Sequence, residues 1–231
     1  MYLKAIIRAV LPRWAIVGMK LQRIFFNTYG HNRRVNGMPV DGEGRHQPWL
    51  TYPVIEHING LDLRDKDVFE FGAGASTIFW AERAKSVTSV ELDSDWWDIL
   101  RKSVPKNVEL VHEPDGAKYA RFPLTLAPRK FDVVVVDGAQ RFESAKTALR
   151  VLAPGGMIVL DNAEWYPNTA DVLSNADLIE VRLSGFSPIN AFTETSSIFL
   201  SRDFAFSINR MARQRPKGGR ALVGGALDDG V

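Results

Sequence analysis

The segment from Asp67 to Trp80 constrains the fold of this chain more than any other part. It reads DVFEFGAGASTIFW. Its apolar run, Val68 to Phe71, is typical of a parallel strand that is covered on both faces. Gly72 and Gly74 then let the chain turn tightly against a bound ligand. A strand that leads into a glycine turn predicts a site for a nucleotide cofactor.

Two departures from the dehydrogenase fingerprint G-x-G-x-x-G narrow the choice of cofactor. Ser76 and Thr77 open the following helix, and Thr77 stands where the third glycine of that fingerprint would be. Glu70 ends the strand with a carboxylate, whose charge would repel a pyrophosphate. Together with Glu91, it would instead attract a cofactor that carries an ammonium and a sulfonium group.

Two later motifs follow in a fixed order. The run FDVVVVDG ends in Asp137 and Gly138, and the turn LAPGGMIVLDN ends in Asp161 and Asn162. With the glycine turn and Glu91, they make the chain resemble a class I S-adenosylmethionine-dependent methyltransferase over residues 49–202. The resemblance implies a doubly wound α/β fold, which is a mostly parallel seven-stranded sheet with helices on both faces and an antiparallel last strand.

The alternation of strand and helix patterns agrees with this fold, because parallel strands need crossover connections. The pattern predicts strands near residues 67–71, 86–91, 107–112, 131–136, 157–161, 178–183 and 196–201. It predicts helices near residues 76–84, 95–103, 143–152 and 169–175.

The resemblance also implies which residues bind S-adenosylmethionine. Glu91, which follows Glu70 by 21 residues, corresponds to the acid that binds both ribose hydroxyls. Either Glu113 or Asp115 corresponds to the group that recognises the adenine amine. Each acid has an ordinary alternative, such as a helix cap, an ion pair or a solvated strand end. The complete implied set is Glu70, Gly72, Gly74, Ser76, Thr77, Glu91, Glu113, Asp115 and Asp137.

Asp137 and Asp161 are the candidate catalytic residues. Transfer to a hydroxyl requires a base for its proton, and both acids are predicted at the sheet edge where open α/β folds bind ligands. Asp137, Asp161 and Asn162 also resemble the Mg²⁺ ligands of cation-dependent O-methyltransferases. The lysine that those enzymes place after the first aspartate is absent, with Gln140 and Arg141 there. Alternatively, Asp161 and Asn162 bond the backbone and fix a turn.

The sequence therefore predicts a methyltransferase that acts on oxygen of a small-molecule, sugar or lipid-linked acceptor. Two alternatives are an NAD-dependent oxidoreductase or epimerase, and a catalytically inactive, membrane-associated scaffold. Glu70 and the missing third glycine disfavour the first, whereas the intact acids disfavour the second. The acceptor pocket is predicted from residues 140–142, 164–166 and 186–192. Arg141 is expected either to bind an acidic or phosphorylated group of the substrate or to pair with Glu143 or a neighbouring acid.

The sequence predicts three parts of the chain, and the first is distinguished by its charge. Residues 1–34 contain seven Lys or Arg residues and no acid, with apolar residues at helical spacing on both sides of Pro12. They predict a basic amphipathic arm of two helices, which lies on an anionic membrane surface or packs on the domain. Residues 35–206 form the predicted methyltransferase domain, with a loop or lid over residues 30–48. Residues 207–231 are predicted as a disordered, basic and glycine-rich tail.

Composition limits the chemistry further. The 231 residues carry a net charge of +2 and no cysteine, which excludes disulfides, thiolate metal sites and cysteine nucleophiles. A cytoplasmic location is compatible with this, with peripheral contact at the inner membrane surface through the arm. Nucleic acid is not an expected partner, because the basic stretch lacks an aromatic stacking platform.

Overall fold

The computed structural model describes residues 11–209 and 215–219, which are built around one large sheet. The strands are β1 (Arg34–Val35), β2 (Met38–Pro39), β3 (Asp67–Phe71), β4 (Ser86–Glu91), β5 (Val108–His112), β6 (Phe131–Val136), β7 (Leu152–Leu160), β8 (Ile179–Phe186) and β9 (Thr193–Leu200). The helices are α1 (Arg13–Arg23), α2 (Tyr52–Asn59), α3 (Ala75–Ala81), α4 (Ser94–Leu100), α5 (Gly116–Arg121), α6 (Arg141–Val151) and α7 (Pro167–Ser174). A π-helical turn, Ile24–Thr28, follows α1, and a 3-10 turn, Phe122–Leu126, follows α5.

The large sheet has seven strands in the order β5-β4-β3-β6-β7-β9-β8 within the described residues. Strands β3 to β7 pair in parallel, whereas β9 lies antiparallel between β7 and β8. This confirms the predicted doubly wound, mostly parallel sheet with an antiparallel last strand. The strand order reverses between β3 and β6, and such a switch point opens a crevice at the carboxyl ends of the strands.

Helices cover both faces of the sheet, so alternate residues of one strand enter different cores. Val133 and Val135 of β6 pack in the core that contains Trp80 of α3. Val134 and Val136 pack in the opposite core, which contains Tyr119 of α5. Burial on both faces explains the unbroken run of valines, because a central parallel strand has no solvated side.

Within the described part of the predicted arm, helix α1 is largely exposed to solvent. Helix α1 contains no buried residue, and Trp14 and Leu21 are 77% and 60% exposed. The π-helical turn after it is anchored, since the ring of Phe25 lies 5.8 Å from that of Tyr52 and 5.4 Å from that of Phe186. Residues 1–10, with the first predicted helix, lie outside the described residues. Across the residues that the structure describes, no helix has the length and apolarity needed to span a membrane.

The segment predicted as a loop or lid contains the small antiparallel hairpin of β1 and β2. Met38 of this hairpin is buried. Residues 215–219 lie against the same region, where Lys217 Nζ donates to Asp41 Oδ2 at 2.7 Å and its backbone N–H donates to Glu56 Oε1 at 3.0 Å. These five residues of the predicted tail therefore have defined contacts, and the tail beyond residue 219 lies outside the described residues.

Candidate active site

The glycine turn after β3 touches the turn after β6 at the switch point of the sheet. Gly72 has a φ of +88°, and a Cβ atom on it would lie 2.6 Å from Gly138 Cα. A Cβ on Gly138 would likewise lie 2.8 Å from Gly72 Cα. Only glycine fits this approach without strain, so the two turns are held in direct backbone contact.

Glu70 lies beneath the turn and is fully buried. Its Oε2 atom accepts hydrogen bonds from Thr77 Oγ1 and Ser89 Oγ, both at 2.5 Å. Thr77 Oγ1 in turn accepts from the Gly74 N–H at 2.9 Å. Burial raises the pKa of Glu70 to about 7, although the neighbouring hydroxyl groups oppose the shift. Glu70 and Thr77 thus support the turn from below.

Glu91, at the end of β4, organises the same turn from the side. Its Oε2 atom accepts from the Ala73 N–H at 2.9 Å, and its Oε1 atom accepts from the N–H groups of Leu92 and Asp93 at 2.9 and 2.8 Å. Three backbone donors therefore fix the carboxylate. It also lines the cavity described below, so it can accept further hydrogen bonds from a ligand.

The two candidates for adenine recognition have local roles. Asp115 caps α5 by accepting from the Lys118 N–H at 2.9 Å, and Glu113 Oε1 accepts from the Asp115 N–H at 3.1 Å. Neither residue lines the cavity. Trp96 of α4 does line it, and its indole N–H is held by the Ala73 carbonyl at 2.7 Å.

A cavity of about 510 Å³ opens at the carboxyl ends of β3, β4, β6 and β7. That volume is within the roughly 300–1,000 Å³ of small-molecule sites. The predicted cofactor, catalytic and metal-binding residues in its wall are Gly72, Gly74, Ser76, Glu91, Asp137, Asp161 and Asn162. The predicted acceptor pocket contributes Arg141, Trp165, Asn190 and Phe192. The predicted cofactor residues outside its wall are Glu70, Thr77, Glu113 and Asp115.

Asp137 and Asp161 form a pair of acids in this wall. Burial raises the pKa of Asp137 to about 7, with Glu70 and Glu194 acting in the same direction and Arg141 against it. Burial and the charge of Asp137 also raise the pKa of Asp161 well above its usual range. Asp161 also hydrogen-bonds Asp137, so the two acids titrate as a pair.

Arg141, the first residue of α6, lies between the ends of β6 and β7. It pairs with Asp137 Oδ1 at 3.0 Å and donates to Asn162 Oδ1 at 2.9 Å. Asn162 Nδ2 donates to Glu194 at 3.0 Å, and Asp161 Oδ1 accepts from Ser196 Oγ at 2.6 Å.

These contacts do not fit the predicted magnesium site. A guanidinium group already binds oxygens of Asp137 and Asn162, and serine already binds Asp161. Among the described residues, no three or more His, Cys, Asp or Glu side chains are grouped to hold a metal ion. Of the two roles expected for Arg141, the structure has the pairing with a neighbouring acid, Asp137, and the donors of Arg141 are occupied within the protein.

Aromatic rings and amides form the outer wall of the cavity. Trp49, Trp165 and Phe192 line it and are exposed in part, with the rings of Trp165 and Phe192 6.3 Å apart. Asn190 Nδ2 donates to both oxygens of the buried Glu194 at 3.2 and 3.1 Å. This wall therefore combines flat apolar surfaces with hydrogen-bonding groups.

A comparison of the sequence with protein families adds to this geometry. Residues 69–163 match the family described as a methyltransferase domain. Over these residues the chain is similar to the class I S-adenosylmethionine-dependent methyltransferases. The match begins within β3 and ends just after Asn162, so it includes the glycine turn, Glu91, Asp137 and Asp161. No match is found among curated proteins.

Solved methyltransferase structures have the same fold at low sequence identity. An O-methyltransferase from Bacillus cereus in complex with SAH has a TM-score of 0.55 and 14% identity, with 86% of this chain and 96% of that chain covered. A precorrin-6y C5,15-methyltransferase from Geobacter metallireducens GS-15 has a TM-score of 0.53 and 14% identity, with 75% of this chain and 95% of that chain covered. The third structure is the O-methyltransferase TomG from Streptomyces achromogenes, which is involved in tomaymycin synthesis and is in complex with SAM. It has a TM-score of 0.51 and 16% identity, with 65% of this chain and 77% of that chain covered.

Several residues of the cavity wall were not predicted as site residues from the sequence, and three of them have large side chains. Trp96 and Glu194 line the wall, as does Met38 of the hairpin. Glu194 belongs to the polar start of β9, and its burial, which requires hydrogen-bond partners, is visible only in the structure. The sequence carries no signal for Met38 either.

Proposed function

We propose that this methyltransferase transfers the methyl group of S-adenosylmethionine to a hydroxyl oxygen of a small molecule. One observation carries the proposal. The Asp137 carboxylate, with a pKa of about 7, shares a cavity with the glycine turn and Glu91. A general base works best when its pKa lies near the working pH.

The cofactor is proposed to lie along the turn after β3. The backbone at Gly72 and Gly74 and the hydroxyl of Ser76 would receive its methionine end, and Glu91 would accept hydrogen bonds from the ribose. Trp96 lies near this turn through its bond to the Ala73 carbonyl and offers an apolar surface for the adenine ring.

The reaction is an in-line displacement. The acceptor oxygen forms a bond to the methyl carbon while the carbon–sulfur bond breaks, and the sulfur keeps the electron pair to give S-adenosylhomocysteine. Asp137 takes the hydroxyl proton. Asp161 hydrogen-bonds Asp137, would hold it in position, and is proposed as the second catalytic residue of the pair. Alignment of the acceptor oxygen with the methyl group supplies much of the reduction in the activation barrier.

The acceptor is proposed to be a ring compound that carries hydroxyl groups, such as a sugar, either free or lipid-linked. Trp49, Trp165 and Phe192 offer flat surfaces for a ring, and Asn190 and Glu194 offer a donor and acceptors for hydroxyl groups. Two of the similar structures are described as O-methyltransferases, which supports oxygen as the acceptor atom.

The arm is proposed to contact the anionic inner surface of a membrane. Trp14, Val17 and Leu21 share one face of α1, because they are three and four residues apart, and all three are exposed. Arg13 and Lys20 lie beside this face, and residues 11–40 contain no acid. Apolar insertion and attraction to anionic lipids would act together.

The first test is calorimetric titration of the purified chain with S-adenosylmethionine, S-adenosylhomocysteine and NAD. Binding of the first two without NAD is expected. Labelled S-adenosylmethionine is then offered with glycosides, catechols and amines, and labelled methyl ether on a glycoside is the expected product. Binding of NAD alone would overturn the cofactor, and methylated amines alone would overturn the acceptor atom.

A further inference from the structure

The Arg141 side chain uses every donor it has within the protein. Its Nε donates to the Gly138 carbonyl at 3.1 Å. Its Nη1 donates to the Asp161 carbonyl at 2.7 Å and to Asn162 Oδ1 at 2.9 Å. Its Nη2 donates to the Asp137 carbonyl at 2.9 Å and to Asp137 Oδ1 at 3.0 Å. A guanidinium group has five N–H donors, and these five bonds satisfy all of them.

The position of the group is as specific as its bonding. The side chain is 10% exposed, and its guanidinium carbon lies 4.5 Å from the centre of the Tyr166 ring. Three carboxyl groups, those of Asp137, Asp161 and Glu194, line the cavity around it. A fixed positive charge in this place compensates the acids, and its planar geometry joins the turn after β6 to the turn after β7.

A metal ion at the same place would compete with this group. Arginine does not lose its proton in proteins, so the guanidinium charge would repel a divalent cation that approached Asp137 and Asn162. Binding of the ion would also require two of the five hydrogen bonds to break and would leave buried donors without partners, which costs about 1–3 kcal/mol each.

We propose that Arg141 is a built-in substitute for a divalent cation: it positions Asp137 and the Asp161–Asn162 turn for methyl transfer, and the site takes no metal ion. The expected effect on methyl transfer rests on the proposed function. The expected binding of a cation after removal of Arg141 does not depend on any acceptor. Arg141 acts through Asp137 and Asn162 and is a positioning residue.

The first experiment uses Mn²⁺ as the probe and needs no acceptor. Mn²⁺ binding to the full chain is followed by electron paramagnetic resonance for the wild type, Arg141→Ala and the surface control Arg202→Ala. With the wild type and the control, the spectrum should show only the signal of unbound Mn²⁺. Arg141→Ala is expected to bind the ion, because the positive charge that compensates Asp137, Asp161 and Glu194 is missing. Wild-type binding that Asp137→Asn abolishes would overturn the proposal.

The second experiment restores the missing group. Arg141→Ala should slow transfer about 10- to 100-fold, as expected for loss of a hydrogen bond to a charged group. Millimolar guanidinium chloride, but not sodium chloride, should recover most of that rate, and chelators should leave the wild-type rate unchanged. Loss of wild-type transfer on chelation, or a folded Arg141→Ala chain that guanidinium does not rescue, would overturn the proposal.

A third variant covers the case in which Arg141→Ala does not fold. Arg141→Lys keeps the charge with three donors instead of five, and it should exclude Mn²⁺ while turning over more slowly than the wild type. Binding of Mn²⁺ by Arg141→Lys would overturn the proposal. Binding of S-adenosylmethionine, measured in the same samples, reports separately on the proposed function, so failure of one proposal is distinguishable from failure of the other.

Discussion

Two glycines in the same turn should respond to alanine in opposite ways. At Gly72, a methyl group meets a φ of +88° and the Cα of Gly138 at 2.6 Å. At Gly74, the φ of −179° suits any residue, and the nearest atom to an added Cβ is Ser76 Oγ at 3.8 Å. Protein packing therefore requires glycine at position 72 but not at position 74, where the open side faces the cavity.

The magnitudes follow from these contacts. In Gly72→Ala, the left-handed backbone costs roughly 1–2 kcal/mol and the close contact about 1–3 kcal/mol more. For a chain of this size, the melting temperature should fall on the order of 10 °C. Gly74→Ala should leave stability unchanged or raise it by about 0.4–1 kcal/mol. If the cofactor lies along Gly74, the methyl group should weaken its binding by about 1–3 kcal/mol, or roughly 5- to 150-fold.

Thermal unfolding and calorimetric titration with S-adenosylhomocysteine test both variants. Gly44→Ala is the matched control, because Gly44 has a φ of +84° with nothing within 4 Å of an added Cβ, and it lies outside the cavity wall. It isolates the backbone cost from the contact at Gly72. Equal stability of Gly72→Ala and Gly44→Ala would refute the rigid approach of the two turns, and full affinity in Gly74→Ala would place the cofactor elsewhere.

Three further variants probe the cofactor acid, the base and the arm. Glu91→Gln removes a charged acceptor and should weaken S-adenosylmethionine binding about 10- to 100-fold in calorimetry, whereas unchanged affinity would move the ribose away from Glu91. Asp137→Asn should keep cofactor affinity while transfer falls at least about 100-fold, with exposed Asp171→Asn as the control; normal turnover would remove Asp137 from catalysis. The double change Trp14→Ser and Leu21→Ser should abolish sedimentation with anionic vesicles and preserve cofactor binding, and continued sedimentation would show that these side chains do not anchor the arm.

The fold was predictable because its signals are local and repeated. Val133 to Val136 could form only a strand covered on both faces, and a glycine turn followed by a helix fixed the direction of the crossover after β3. Helix α5 was not predicted, because its six residues are too few to show a helical period. Its cap is Asp115, one of the two residues expected from sequence to recognise the adenine.

The site was less predictable because an acid at a strand end can face the cavity or the core. Glu70 and Glu91 end neighbouring strands, yet Glu91 lines the cavity and Glu70 is enclosed beneath it. The side that each faces depends on the partners Thr77 and Ser89, which come from two different elements. Arg141 was considered for binding a substrate anion, and only the three-dimensional arrangement reveals that its donors are all used internally.

The enclosure of Glu70 has a measurable consequence for stability. Its pKa is raised from 4.5 to about 7 by burial, so the folded chain holds a proton that the unfolded chain releases between these two values. The folded state therefore binds more protons than the unfolded state in this window. Stability must fall as the pH rises through it, by at most about 3 kcal/mol from this residue, and the loss is complete above the folded pKa.

Glu70→Gln isolates this effect, because glutamine keeps an oxygen for Thr77 and Ser89 but does not titrate. The free energy of unfolding in urea, measured for both chains at about pH 5 and about pH 8, should show the wild type losing about 2–3 kcal/mol more than the variant. Asp137 and Asp161 also have raised pKa values, so both chains should keep a decline of the same sign from these two residues. Exposed Glu143→Gln should follow the wild type. If Glu70→Gln loses as much stability between these pH values as the wild type, Glu70 is already ionised in the folded state and a negative charge lies beneath the glycine turn.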